Sequence, residues 1–105
     1  MESIIHFDIS HLSCENGVVV TIFSWFRCGK IAWFYADVTV DSSIAIWSKL
    51  WTFSNPQSQP ANMFTTLLDV HGNGYFQILG TKCELGNKTS GVTSFRVSGS
   101  YCCHI

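Results

Sequence analysis

The segment "IAWFYADVTV", Ile31–Val40, divides into two sets of alternate residues that differ in character. Successive side chains of a β-strand point to opposite faces, so this pattern predicts a strand with two different faces. One face carries Ala32, Phe34, Ala36, Val38 and Val40. The other carries Ile31, Trp33, Tyr35, Asp37 and Thr39. The first set is entirely apolar, and we expect it to face the core.

Other segments rich in β-branched and aromatic residues predict further strands. They are Ser3–Ile9, Val18–Trp25, Ile44–Phe53, Asn62–Val70, Tyr75–Gly80, Thr81–Leu85 and Val92–His104. Trp47 and Trp51 are four residues apart, so they should share a strand face. The polar stretch "HGNG", starting at His71, has the residues of a tight hairpin turn. "NPQSQP", starting at Asn55, should be a loop because proline lacks a backbone N–H.

Composition agrees with an all-β fold. Val, Ile, Phe, Tyr, Trp and Thr supply 40 of the 105 residues, whereas Ala, Leu, Glu and Lys supply 17. Charged residues make up only 12% and aromatic residues 14%, which suggests that another copy or a ligand covers some apolar surface. The alternative is an ordinary monomer. The net charge is −1, and the scattered basic residues give no electrostatic footprint for nucleic acid.

The chain has no apolar run long enough for a membrane-spanning helix, since Gly29, Lys30 and Asp37 interrupt its richest region. We therefore expect no membrane insertion. Residues 1–16 lack the basic start and apolar core of a signal peptide. We expect a chain that is made and kept in a cytoplasm, or one excised from a longer protein.

The five cysteines do not have the spacing of a disulfide framework. We interpret most as small buried residues in a reducing compartment, with a Cys28–Cys83 bridge as the alternative. A metal site would need the residues of the two chain ends to meet: His6, His11, Cys14, Cys102, Cys103 and His104. Their spacing is not that of zinc ligands. Cys102 and His104 form a conceivable nucleophile pair, but no hydrolase or phosphate-loop motif is present. We predict no enzyme activity, cofactor or metal.

The region from Gly17 to Tyr101 resembles the C-terminal heads of bacteriophage tail fibres and receptor-binding proteins. The residues that carry this resemblance are "NGVVVTI", "CGKIAWFYADVTV", "WSKLWTF" followed by "NPQSQP", "GNGYFQILG" and "GVTSFRVSGSY". The Cys-Cys-His end, "FSWFRC" and the missing upstream shaft depart from the family pattern. Residues 1–16 match no part of it, and we interpret them as an extra strand or a shaft remnant before a head domain at 17–105.

The resemblance implies an antiparallel β-sandwich, jelly-roll-like, that assembles as a homotrimer at the tail tip of a virion. It also implies adhesion to a host cell-surface saccharide or protein. Saccharide sites combine an aromatic platform with polar side chains, and two places in the sequence supply this mixture. The hairpin offers Asp69, His71, Asn73 and Tyr75, and the alternative platform is Trp47 with Trp51. Ile31, Trp33 and Tyr35 are the candidates for the intersubunit surface.

Two other functions remain open. The domain could be a trimerisation cap that holds a fibre in register without binding a ligand. It could also be a small secreted β-sandwich lectin, which would require bridged cysteines and a glycan at Asn87 in "NKT". Exposed aromatic side chains with polar neighbours would favour an adhesin, whereas wholly buried ones would favour a cap.

Overall fold

A computed structural model describes residues 3–61 and 64–105. Within them a single antiparallel sheet of nine strands has the order β1-β3-β4-β9-β6-β7-β8-β5-β2. The strands are β1 Ile4–His6, β2 Leu12–Cys14, β3 Val18–Cys28, β4 Ile31–Val40, β5 Lys49–Phe53, β6 Phe64–Asp69, β7 Gly74–Leu79, β8 Lys82–Lys88 and β9 Ser94–Cys102. The all-β, antiparallel part of the prediction is confirmed. No helix in this part of the chain is long and apolar enough to cross a membrane.

The sheet curls until strands from its two ends share one core. Phe34 of β4 stacks on Trp51 of β5 at 5.7 Å between ring centroids. Trp25 of β3 lies edge-on to Phe53 of β5 at 6.0 Å. In the sheet order, four strands lie between β4 and β5 and five lie between β3 and β5, so only a strong curl brings these rings together. Burying an aromatic side chain of this size contributes roughly 2–3 kcal/mol.

The alternation in β4 is reproduced in the structure. Ala32, Phe34, Ala36, Val38 and Val40 are all buried. The opposite face is directed outward and is partly or fully exposed. β4 pairs along its length with β3 and with β9, so it lies inside the sheet, with one face toward the core.

One end of the curled sheet is closed by the loop at residues 54–61, as the prolines predicted. Ser58 of this loop is fully buried. The loop is attached to the last strand because Ala61 N–H donates to the Cys102 carbonyl at 2.8 Å and Pro60 forms a bridge with Cys103. The Tyr101 hydroxyl also donates to the Ser58 carbonyl at 2.8 Å. The loop at residues 54–61 therefore packs against the core and is fixed to the end of β9.

Two predicted strands keep half of their predicted length or less in the structure. Ser3–Ile9 is a strand only at Ile4–His6, because the Asp8 side chain accepts a hydrogen bond from Ser10 N–H and begins a short 3-10 helix. Ile44–Phe53 is a strand only from Lys49. Trp47 has a left-handed backbone with φ 71°, which breaks the strand before it reaches Lys49.

Two predicted segments include residues that lie outside the described part of the chain. Asn62 and Met63, at the start of a predicted strand, lie outside them, as do Met1 and Glu2 of the predicted segment 1–16. The rest of that segment supplies β1 and β2, which pair with β3 and β5 in the same sheet.

Candidate functional site

The carboxylate of Asp69 is directed into the protein and holds the β6–β7 turn. Its Oδ2 accepts a hydrogen bond from Asn73 N–H at 2.9 Å. Its Oδ1 accepts one from Arg96 N–H at 2.9 Å, and the side chain has no solvent exposure. Both oxygens are therefore engaged by backbone groups. Asp69 has a structural part in the turn and is not presented to a ligand.

The other three hairpin candidates differ in accessibility. His71 is exposed, with Nδ1 4.0 Å from Asp69 Oδ1. Asn73 is half-buried, and its carbonyl accepts a hydrogen bond from Thr89 N–H at 2.7 Å. The Tyr75 ring lies against Gly86, where an added Cβ would be 2.2 Å from the ring. The turn therefore offers His71, part of Asn73, and a Tyr75 ring that is packed on one side and partly exposed.

Trp47 and Trp51 do not form a common platform. Trp51 is fully buried in the core, whereas 61% of Trp47 is exposed. The prediction that they share a strand face is wrong, because Trp47 precedes β5 and has a left-handed backbone. Trp47 alone remains accessible.

The outward face of β4 instead lines an open groove of about 380 Å³, which we call the β4 groove. Its lining residues are Ser24, Trp33, Phe34, Tyr35, Ser98, Gly99 and Ser100. The pairing register brings them together, because Trp33 lies opposite Ser100 and Tyr35 opposite Ser98. Two outward aromatic rings and three serine hydroxyls thus meet at one shallow depression with no charged side chain in its lining.

The aromatic residues of the groove are held by neighbouring rings. Phe26 stacks on Trp33 with centroids 5.2 Å apart and an interplanar angle of 19°. The ring centroids of Phe23 and Tyr35 are 5.5 Å apart. A ring that is already packed on one side loses less side-chain entropy when it binds a ligand on the other. The groove is therefore partly preorganised.

A charged pair lies next along β4. Arg96 Nε donates to Asp37 Oδ1 at 2.8 Å and Nη2 donates to Oδ2 at 3.2 Å. The guanidinium also lies over the Phe23 ring at 5.2 Å. Its hydrogen bonds lower the pKa of Asp37. Asp37, Arg96 and His71 line a second depression of about 310 Å³.

The predicted intersubunit residues Ile31, Trp33 and Tyr35 all lie on this outward face. No sequence pattern connected these three residues with the serines of the groove. The spacing of Ser98 and Ser100 predicts a shared face in β9. However, their position beside Trp33 depends on which strand lies next to β4, and on the register of that pair.

The cysteines and histidines form no recognisable metal centre. Within residues 3–61 and 64–105, no group of three or more His, Cys, Asp or Glu is arranged to hold a metal. All five cysteines are free thiols. Burial raises the pKa of the Cys83 and Cys103 thiols, which lowers their nucleophilicity at neutral pH. Cys102 is partly exposed and His104 exposed.

No protein-family model matches the chain, and neither a curated protein nor a solved structure matches it.

Proposed function

We propose that the chain is a receptor-binding head of a phage tail fibre and adheres to a saccharide on the host cell surface. The observation that carries this proposal is the β4 groove, where Trp33 and Tyr35 lie among three serine hydroxyls. The resemblance of Gly17–Tyr101 to fibre heads supplies the biological setting. The proposed activity is binding without catalysis, and it needs no cofactor.

The lining chemistry suits a sugar ring. Ligand sites combine apolar and aromatic walls with a few polar groups that fix orientation. One face of a pyranose presents C–H groups, which pack on an aromatic ring, and its rim presents hydroxyls, which hydrogen-bond to Ser24, Ser98 and Ser100. Because the lining contains no charged side chain, the sugar in this groove should be neutral.

The proposed assembly is the jelly-roll-like homotrimer implied by the resemblance. Three weak sites on one particle would bind a cell surface more strongly than one, because each binding event raises the effective concentration for the next. In this proposal Ile31, partly buried at the end of β4, lies toward the neighbouring subunit, while Trp33 and Tyr35 face the ligand.

The experiment is binding of the labelled protein to host cells and to a glycan array. Trp33→Ala and Tyr35→Ala should each reduce affinity about tenfold, the equivalent of one lost stacking contact of roughly 1.4 kcal/mol. Trp47→Ala is the control, because it removes another exposed ring that lies outside the groove. Equal binding by Trp33→Ala and wild type would reject the β4 groove as the site.

A second candidate is the trimerisation cap. It is favoured by the exposed apolar side chains of the same face, Phe23, Trp33 and Leu68, which are 51%, 41% and 59% exposed. Light scattering separates the two functions. If Trp33→Ala converts a trimer to monomers, the face is an intersubunit contact. If the mass is unchanged and glycan binding is lost, it is a ligand site.

A further inference from the structure

The outward face of β4 and β9 carries two depressions in a row. The β4 groove ends at Tyr35 and Ser98, and the second depression begins at Asp37 and Arg96. Asp37 and Arg96 are the next outward residues along their strands, because alternate residues share a face. Within these two strands, all of whose residues the structure describes, no outward residue separates the depressions. Together they form one continuous track along the sheet.

The track is much longer than one sugar ring. It consists of facing pairs of residues: Trp33 with Ser100, Tyr35 with Ser98, Asp37 with Arg96, and Thr39 with Ser94. Because a strand rises about 3.3 Å per residue, the distance along β4 from Trp33 to Thr39 is about 20 Å. A single sugar stacked on the aromatic rings would leave the Asp37 end of the track without a ligand. A chain of sugar residues could contact both ends.

Exposed apolar side chains flank the track on both sides. Phe23 of β3 is 51% exposed, and Leu68 and Val70, beside β9, are 59% and 53% exposed. Leu68 lies opposite Ser98, and Val70 N–H donates to the Arg96 carbonyl at 2.8 Å. A polar row between apolar walls suits a sugar chain, because its rings present C–H groups as well as hydroxyls.

The Asp37–Arg96 pair keeps hydrogen-bonding capacity for a ligand. The two hydrogen bonds between these side chains use two of the five N–H donors of a guanidinium. An ionised carboxylate can accept about four hydrogen bonds, so Asp37 also has acceptor positions left. The side chains are 41% and 42% exposed. Two neighbouring hydroxyls of one sugar residue match this pair, since one can donate to the carboxylate while the other accepts from the guanidinium.

The charges favour a neutral sugar at this end of the track. Asp37 and Arg96 balance each other. An acidic sugar would have to lie beside the Asp37 carboxylate, where like charges repel, or replace it at the guanidinium, which breaks a charge-assisted hydrogen bond. His71, Thr39 and Ser94 line the same depression and offer groups that hydrogen-bond to hydroxyls. The whole track therefore suits an uncharged ligand.

We propose that the ligand of this face is a neutral, linear oligosaccharide that lies along β4 and β9. One sugar residue stacks in the β4 groove, and a later residue of the same chain hydrogen-bonds to Asp37 and Arg96. This inference rests on the proposed saccharide binding and deepens it, because it requires a ligand of several residues and gives the ion pair a part in recognition. The aromatic rings supply stacking, and the ion pair distinguishes sugars by the positions of their hydroxyls.

The test measures affinity as a function of chain length. Linear neutral glucans, mannans, galactans and N-acetylglucosamine chains, each from the monosaccharide to the hexasaccharide, are titrated into the protein and followed by protein NMR, which measures weak affinities. Wild type should bind the hexasaccharide of its preferred series about tenfold more tightly than the monosaccharide. Asp37→Ala should bind the monosaccharide as wild type does but lose most of this gain. A longer chain also has more binding registers, but Asp37→Ala retains that statistical gain, so the difference between the two proteins reports the contacts at Asp37.

Glu15→Ala is the matched control. It breaks another partly exposed ion pair, in which Lys49 Nζ lies 3.7 Å from Glu15 Oε2, outside both depressions. It should leave the gain with chain length unchanged. Thr39→Val tests the far end of the track without removing the ion pair, and it should reduce the gain about threefold. Near-ultraviolet circular dichroism checks that all variants fold.

The possible results distinguish this inference from the proposed function. Equal affinity of wild type for the monosaccharide and the hexasaccharide would overturn the extended ligand and leave saccharide binding in the β4 groove intact. A gain with chain length that Asp37→Ala keeps in full would do the same. If no member of any series binds wild type, the proposed adhesion is rejected and the extended ligand with it.

Discussion

The indole N–H of Trp25 donates a hydrogen bond to the Tyr101 hydroxyl at 3.0 Å, across 76 residues of sequence. The same hydroxyl donates to the Ser58 carbonyl at 2.8 Å, and burial raises the pKa of Tyr101 far above its usual range. One oxygen atom therefore links β3, the loop at 54–61 and β9 inside the protein.

Tyr101→Phe should lower the free energy of unfolding by about 2 kcal/mol, because it leaves a buried indole N–H and a buried carbonyl without partners. Urea unfolding followed by tryptophan fluorescence measures the change. Tyr75→Phe is the control at a partly exposed ring, and it should change stability by less than about 0.5 kcal/mol. Equal effects of the two substitutions would contradict the role assigned to the buried hydroxyl.

Trp51→Ala should cost about 3–5 kcal/mol, because it removes a fully buried ring packed on Phe34 and Phe76. Trp47→Ala should cost less than about 0.5 kcal/mol, because most of that ring is exposed. Thermal unfolding of the two variants measures the difference. A large loss of stability in Trp47→Ala would show that the exposed ring has a packing role.

Asp69→Ala should destabilise the fold by about 2 kcal/mol, since it removes the acceptor of two backbone N–H groups. Amide hydrogen exchange should accelerate at Asn73 and Arg96 in particular. His71→Ala, in the same turn but with an exposed ring, should leave both rates unchanged. Unchanged exchange at those two amides in Asp69→Ala would contradict the role of the Asp69 carboxylate as their hydrogen-bond acceptor.

Gly74→Ala should cost about 3 kcal/mol, because its added Cβ would lie 2.3 Å from the Asn87 carbonyl oxygen, which is backbone and cannot rotate away. Gly72→Ala is the matched control in the same turn. Its φ is +75° with no atom within 4 Å of the added Cβ, so it should show only backbone strain of about 1 kcal/mol. Chemical unfolding measures the loss of stability in each variant. A larger loss in Gly72→Ala than in Gly74→Ala would contradict the predicted clash with the Asn87 carbonyl.

The Asp37–Arg96 pair should make stability depend on pH. The pKa of Asp37 in the folded chain is below its ordinary value of 3.8, so the pair stabilises the fold above that pH and the contribution is lost as pH falls through the lowered pKa. Wild type should therefore exceed Asp37→Asn in melting temperature near neutral pH, and the gap should narrow below about pH 4. Because both side chains are partly exposed, added salt should also narrow it. A gap that is constant with pH would contradict this account.

Local sequence patterns predicted most of the sheet but only part of the candidate site. The core face of β4 followed from alternation, because every second residue from Ala32 to Val40 is apolar. The strand at Ile44–Phe53 was predicted too long, since residue types alone did not reveal the left-handed backbone at Trp47.

The rest of the candidate site could not be predicted, because it depends on which strands are neighbours and on the register in which they pair. Ser98 lies beside Tyr35 only because β9 pairs with β4 in this register. Asp69 was a reasonable ligand candidate from its position before a turn. Its inward orientation depends on Arg96 N–H, which β9 supplies from 27 residues away, and no local pattern contains that partner.

The position of β9 in the sheet determines when the sheet can be completed during synthesis. β9 is the last of the described strands in sequence, yet it lies between β4 and β6. On the ribosome, β3 and β4 emerge and can form their hairpin early, but β4 has no neighbour on its other side until residues 94–102 are synthesised. Until then the core lacks the buried residues that β9 contributes, Phe95, Val97 and Tyr101. A chain truncated before Ser94 would leave β4 unpaired on one side.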